Sequence, residues 1–425
     1  QYTDRVASLR GEVEQSSGAY LEATRLLAQI GEIESAAERL EKAEVLDRLV
    51  QDNGLGSLEG RSTRIYRDAL VDNNRFDEAI DATGRISDRD PTDSLALGLC
   101  HFEKNNFVEA AENFNKVKPQ VIRNSRYGAT ALQAAGQANL NANQPEWSFQ
   151  CFSELKAKNA EDRRPVATVD NKLIEVCKLA LRSTLKPEEE RLWRTRWREL
   201  DPRQSENLRE LMRVSYALGK AANKEGTPAG HDEAMRDFGD AYEALRAYLK
   251  DNGYDTLSDE DRKTADRLFA CFADYVPLEP GTTYTYESEK TNTVRVVKRI
   301  SGNSVDQLEV KVEVGGTEIP EKWVKTTGGM LIREVRGANR PLLISIPDPE
   351  NTAHETSWGN QRVEITDIGQ EVRASGERFQ HCIVVRVYGG ESNDAYKEYT
   401  LAPNVGIVRE VNSANDDAYV LKSRS

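Results

Sequence analysis

One spacing constrains this chain more than any other feature. In LALGLCHFEKNNFVEAAENFNKV, residues 95–117, Gly98 is followed by Ala110 twelve residues on, Phe114 sixteen on and Val117 three further. Asn105-Asn106 falls between them, and asparagine suits a tight turn. Two antiparallel helices satisfy this pattern: a position without a side chain on the first lets the second approach, Ala110 keeps the approach close, and Phe114 and Val117 fill the groove. The spacing returns at Gly136, Ser148, Phe152 and Leu155, with Asn143 and Pro145 in the turn. Upstream, Ala79 and Ile86 precede a terminating Pro91, and Ala36, Leu40 and Ala43 offer an earlier unit. Downstream, Ala234, Phe238 and Ala241 keep their mutual spacing after Gly219, with about three extra residues in the turn GTPAG. Recurrence every 31–43 residues or so is the period of a solenoid of helical hairpins, each burying its core against its neighbours.

Residues 156–204 interrupt the repeat. DNKLIEVCKLALRSTL reads as an amphipathic helix with Leu173, Val176, Cys177 and Leu181 on one face. KPEEERLWRTRWRELDP reads as another, opened by acidic residues and stopped before Pro202. Trp193 and Trp197 share a face among four arginines. They read as core residues with a solvated arginine face, against an aromatic-basic patch for an anionic partner.

The small/large spacing resembles the tetratricopeptide repeat family over most of 20–155 and more loosely over 205–250. The unit at 95–117 is the best match. It departs from the family in carrying Ser94 where an aromatic is expected early in the first helix. The resemblance implies four to six hairpins and a concave groove lined by outward residues of the first helices. Here those are Arg64, Asp68 and Asp72, then Leu99, Phe102 and Glu103, then Gln133, Gln137 and Asn141. The set is mixed and polar, able to pair with a peptide backbone, and Arg64 beside two aspartates does not suit a clamp for a free carboxylate.

Near Asp274 the period changes. Pro277, Pro280 and Gly281 break the chain, and alternation follows. LEVKVEV places Leu308, Val310, Val312 and Val314 on one face, opposite Glu309, Lys311 and Glu313, as in a half-buried antiparallel strand. Segments such as TVRVVKRI, GMLIREV, PLLISIP, QRVEITD, FQHCIVVRVYG and GIVREVN read likewise, giving nine to eleven strands in a meander of hairpins. A curved sheet, a sandwich and an open barrel all fit. The fold class is therefore α+β multidomain: an α-helical hairpin-repeat solenoid over 1–274, then an all-β antiparallel domain over 275–425.

Three phrases of the second part, YVPLEPGTTYTYES, GERFQHCIVVRV and YTLAPNVGIVREV, resemble a β domain that recurs in bacterial secreted proteins and lipoproteins. Tyr284 stands where that domain more often has tryptophan. The resemblance implies a periplasmic or other envelope location and no activity. Pro403 and Gly406 bracket a tight turn that sets strand register.

Chemistry is sparse. No P-loop, G-x-G-x-x-G, G-x-S-x-G or H-E-x-x-H occurs. His101 and His381 read as packing residues and His231 and His354 as loop residues. The five cysteines are far apart and read as buried thiols. Acidic clusters such as PEEE and DEDR fall at helix starts, where they favour the dipole, and DTLSDEDRK lacks the glycine and glutamate of a calcium loop. No metal or cofactor is expected. A net charge of −13 argues against a general nucleic-acid binder, and no apolar run of membrane-spanning length occurs. The chain begins at Gln1, which fits a removed signal peptide or anchor, or trimming.

The functional expectation is a non-enzymatic scaffold or adaptor in the bacterial cell envelope, binding a protein partner or another copy through the solenoid groove. The alternative is a carrier holding a lipid or other hydrophobic ligand in the β domain. An unrecognised hydrolase is the weakest reading.

Overall fold

The structure, a computed structural model, describes residues 2–275, 280–291, 294–301, 307–314, 316–325, 331–335, 338–343, 349–350, 355–358, 361–389, 396–413 and 417–425. His354 and the PLEP phrase before Gly281 lie largely or wholly outside the described residues. The chain forms two compact units, Gln1–Leu185 with Glu199–Asp201, and Lys186–Arg198 with Pro202–Ser425.

The first unit is helical: α1 (Tyr2–Ile30), α2 (Ala36–Asp52), α3 (Gly56–Asp72), α4 (Phe76–Gly84), α5 (Pro91–Glu103), α6 (Phe107–Phe114), α7 (Pro119–Arg123), α8 (Gly128–Asn141), α9 (Pro145–Glu161) and α10 (Ala167–Ala180). Most of its tight turns are closed the same way. Gly54, Asn74, Asn105, Asn143 and Arg163 each take a left-handed conformation, with φ between 56° and 60°. The next N–H then donates to the carbonyl five residues back, as Arg75 does to Leu70 at 2.9 Å, Asn106 to His101 at 2.9 Å and Gln144 to Asn139 at 2.8 Å. This is the Schellman closure, and asparagine tolerates it because its short polar side chain bonds locally.

The glycine–phenylalanine spacing is a direct contact. A β-carbon at Gly98 would lie 2.8 Å from Phe114, one at Gly136 2.8 Å from Phe152, and one at Gly219 2.7 Å from Phe238. All three rings are buried. In the second hairpin Ser148 also donates to the Gly136 carbonyl at 2.8 Å. The pair α3 and α4 departs from the scheme. Counting the same spacing back from Ala79 puts Arg67 and Thr83 where the others have glycine and phenylalanine. Both are 1% exposed.

The second unit contains α11 (Pro187–Leu200), α12 (Ser205–Asn223), α13 (Pro228–Asn252) and α14 (Asp259–Phe272), followed by strands. Trp193 and Trp197 are buried, and the Arg196 guanidinium lies 4.5 Å over the Trp193 ring. His231 belongs to the first turns of α13 and not to a loop, because Thr227 caps that helix ahead of it by accepting from the Gly230 N–H. Ser258 caps α14 and Asp261 pairs with Arg213 at 2.7 Å, so the acidic run there is a helix start.

The strands are β1 (Thr283–Ser288), β2 (Val294–Ser301), β3 (Gln307–Val314), β4 (Thr317–Lys325), β5 (Leu331–Val335), β6 (Ala338–Leu343), β7 (Glu355–Trp358), β8 (Gln361–Ala374), β9 (Glu377–Gly389), β10 (Tyr396–Ala402), β11 (Gly406–Asn412) and β12 (Asp417–Arg424). Among the described residues they form one antiparallel twelve-stranded sheet in the order β6-β5-β4-β3-β2-β1-β12-β11-β10-β9-β8-β7. It is a sequential meander with first and last strands side by side, curled around one core. Of the architectures left open by the sequence, the curled single sheet is the one observed.

Twelve strands exceed the expected nine to eleven because β4 and β7 were not legible. Pro320 makes TEIPEKWVK look unlike an interior strand. In the structure Pro320 pairs with Lys311 of β3, and the described pairing with β5 runs over Glu321–Lys325. Alternation holds in β3, where Val310 and Val312 are buried, Glu309 and Lys311 exposed and Glu313 half-buried, but Val314 at the strand end is 40% exposed. The Leu308 side chain lies outside the described residues. The turn between Pro403 and Gly406 is as expected: Asn404 has φ 58° and Gly406 φ 103°, and the Asn404 N–H donates to the Asp274 carbonyl at 2.6 Å.

Within this unit α14 docks on β8 and β9, with His381 central to the contact. The β8–β9 register shifts between Gln370 and Val372, and His381, opposite that shift, has φ 58°. Its ring stacks on Phe269 at 4.0 Å and meets the Tyr254 ring edge-on at 4.3 Å. His381 Nδ1 lies 2.7 Å from Asp266 Oδ1, and Tyr275 donates to the His381 carbonyl at 2.6 Å. His381 is a packing residue, as read from the sequence, though not in simple alternation with Phe379 and Ile383.

Candidate functional site

Helices α5, α8 and α10 line an open groove of 530 Å³ in the first unit, with α9 as its floor. The turn at Arg163 reverses the chain between α9 and α10 and brings Arg164, Thr168 and Lys172 to the same wall region. On α8, Gln133 and Gln137 are four apart and so share a face. Both line the groove, and Gln137 Nε2 donates to Asn141 Oδ1 at 2.9 Å. Phe102 and Glu103 enter from the end of α5, with the Phe102 ring edge-on to Phe107 at 5.8 Å. The floor is apolar, made by Phe152, Leu155 and Val169. Lys172 pairs with Glu175 at 2.9 Å. The Glu103 and Arg164 side chains have no ion-pair partner among the described residues.

The other expected groove residues are placed differently. Leu99 is buried at 5% exposure, because the face of α5 carrying it packs inside the unit. Arg64, Asp68 and Asp72 belong to a chain of alternating charges instead of an open wall. Arg39 pairs with Asp72 at 3.1 Å, and Arg126 with Asp72 at 2.7 Å and Asp68 at 2.9 Å. Asp68 also accepts from Arg67 at 2.7 Å and from the Tyr127 hydroxyl at 3.2 Å. Arg67 and Arg64 both pair with Asp93, Arg64 at 2.9 Å, and Arg64 reaches Asp90 at 3.3 Å. Asp93 is 0% exposed and sits in the capping box that opens α5. Burial pushes its pKa up, but the Arg64 hydrogen bond, the Asp90 N–H and the Arg67 charge outweigh that and hold it below the usual carboxylate range. Burial, with the Asp68 charge beside it, pushes the Tyr127 phenol well up.

Four of the nine expected residues thus meet in one groove: Phe102, Glu103, Gln133 and Gln137. Asn141 is exposed at the edge, held by Gln137. The expected set does not contain Asn159, Arg164, Thr168 and Lys172, because the sequence reading places 156–204 outside the repeat. The signal is in the sequence: Thr168 and Lys172, four residues apart, share a polar flank beside the apolar face of Val169, Leu173 and Val176. Arg126 was also missed. The interval from Asn74 to Asn105 is 31 residues and that from Asn105 to Asn143 is 38. The excess holds α7 and the Arg126-Tyr127 arm that reaches back to α3.

No protein-family model matches the chain, and no curated protein matches it. Among solved structures the chain is similar to the crystal structure of a tetratricopeptide repeat protein from Parabacteroides merdae ATCC 43184. That likeness has 10% identity and a TM-score of 0.27, over 60% of this chain and 91% of that chain. So slight a likeness leaves the family open, and the description of the hairpins rests on the chain's own contacts.

Proposed function

We propose that the chain is a non-enzymatic scaffold that binds a protein partner through the groove between α5, α8 and α10. The observation that carries this reading is the combination of an apolar floor with the amide side chains of Gln133 and Gln137 and the charged side chains of Glu103, Arg164 and Lys172 around it. Such a surface offers an extended segment both burial and backbone partners. A bacterial envelope setting belongs to the same proposal and rests on the resemblance of the β phrases alone. Fractionation of the native cells tests that part.

The carrier alternative has less support. The space among Tyr284, Tyr286, Lys298, Trp323 and Ile407 inside the sheet is 10 Å³, room for about one water. The test of the scaffold reading is selection of displayed dodecapeptides on the full chain, followed by titration of the selected sequences. We expect enriched peptides whose binding drops at least about tenfold in the Gln133→Ala, Gln137→Ala variant, the scale of losing two or three buried hydrogen bonds. Enriched peptides indifferent to that variant would move the site elsewhere.

A further inference from the structure

The groove is electrically graded from one helix to the next. Its α5 wall contributes Glu103, its α8 wall only the neutral amides Gln133 and Gln137, and its α10 side Arg164 and Lys172. Lys172 is offset by Glu175, but Glu103 and Arg164 have no ionic partner among the described residues. Elsewhere in the same unit charges of α3 and α5 are spent internally, from Arg39 through Asp72, Arg126, Asp68 and Arg67 to Asp93. What sets Glu103 and Arg164 apart is their place: an acid and a base on different walls of one groove, with neutral amides between them.

We propose that the groove selects an extended segment by its charge order, with a basic residue of the segment against Glu103 and an acidic residue against Arg164. This rests on the groove being the binding site. A segment that reaches from Glu103 past α8 to Arg164 crosses about one helix diameter of 10 Å on each side of α8, on the order of 20 Å. An extended chain advances about 3.3 Å per residue, so the two charges of the segment stand about six residues apart. The side-chain amides of α8 meet the segment between them, where a peptide backbone offers alternating donors and acceptors. Rim charges of this kind contribute modest affinity and strong discrimination between orientations, because the reversed order puts like charges together at both ends.

The test uses the full chain and four blocked dodecapeptides with the same leucine-containing background. They carry Lys then Glu six residues on, Glu then Lys, two glutamines, and two lysines. Fluorescence anisotropy at low salt gives the affinities. The expected result is a preference of about fivefold or more for one of the two mixed orders over the other, the upper scale of exposed ion pairs. The Glu103→Arg, Arg164→Glu variant should prefer the opposite order, and both preferences should fade in 0.5 M salt. Equal binding of all four peptides, still lost in Gln133→Ala, Gln137→Ala, would overturn the charge-order proposal and leave the groove reading intact. Absence of binding by any peptide, or equal binding that the glutamine substitutions leave unchanged, would remove both. A thermal melt of the double variant matching that of the parent chain guards against misfolding, and both substituted side chains are exposed.

Discussion

The Phe114 ring lies so close over Gly98 that a β-carbon there would stand 2.8 Å from Cδ1. Real β-carbons do not approach so near, so the hairpin has no room for even one methyl group. Alanine would gain about 1 kcal/mol in helix propensity over glycine. Overpacking a closed core costs about 1–3 kcal/mol, and here the neighbour is a buried ring that cannot swing away. Gly98→Ala is therefore expected to destabilise the first unit by up to about 2 kcal/mol in urea unfolding. Adding Phe114→Leu to it should recover part of that loss, which would show as a coupling between the two sites.

Arg67 and Arg126 touch the same aspartate and should behave differently. Arg67 is 1% exposed and pairs with Asp93 and Asp68, whereas the Arg126 side chain is 45% exposed. Breaking a buried pair strands its partner, so Arg67→Met should cost about 3 kcal/mol, and salt should change that little. Arg126→Ala should cost less than about 1 kcal/mol at low ionic strength and almost nothing in 1 M salt. Urea titrations of both variants at two salt concentrations separate the two cases.

Stability should fall in acid. Asp93, Asp261 and Glu350 are each pushed up by burial but held below the usual carboxylate range on balance, by Arg64, by Arg213 and by Tyr216 with Lys220 respectively. Their folded pKa values lie below the unfolded ones, so their contribution is complete above the unfolded value of about 4 and is lost as pH falls through the lowered folded values. Asp237 works in the opposite sense, since burial outweighs Arg191 and raises it. The expected profile is flat above about pH 5 and falls below pH 4. Asp93→Asn should be less stable at pH 7 and show a shallower fall, and an unchanged slope would contradict the assignment.

His381 tests the docking of α14. Alanine there loses the Phe269 stack and the Asp266 hydrogen bond while keeping the φ of 58°. The expected cost is about 2–4 kcal/mol from the ring contact and the charge-assisted bond together. Glycine loses the same contacts but adopts that φ without steric cost, so His381→Gly should be about 1 kcal/mol more stable than His381→Ala. Gly369→Ala should be worse than either, because its β-carbon would lie 2.3 Å from Asp266 Oδ2 and its φ is 79°.

What the sequence determined by itself is the local geometry. The asparagine turns, the glycine beneath each phenylalanine and the alternation in LEVKVEV are contacts within one hairpin or one strand, where spacing along the chain translates into spacing in space. The change from helix to strand after Phe272 is legible for the same reason. Tertiary structure decided which polar residues remain available. Arg64, Asp68 and Asp72 look like a groove wall from their spacing, but Arg126 returns to the two aspartates across 58 and 54 residues while Arg64 turns to Asp93. No periodicity reports a partner at that distance. Pro320 disguises β4 because proline brings no N–H to a ladder, though it pairs with Lys311 of β3, and His381 takes its conformation from a bulge in the β8–β9 register. Ion pairs and bulges between distant segments obey packing, and packing is settled only when the whole unit closes.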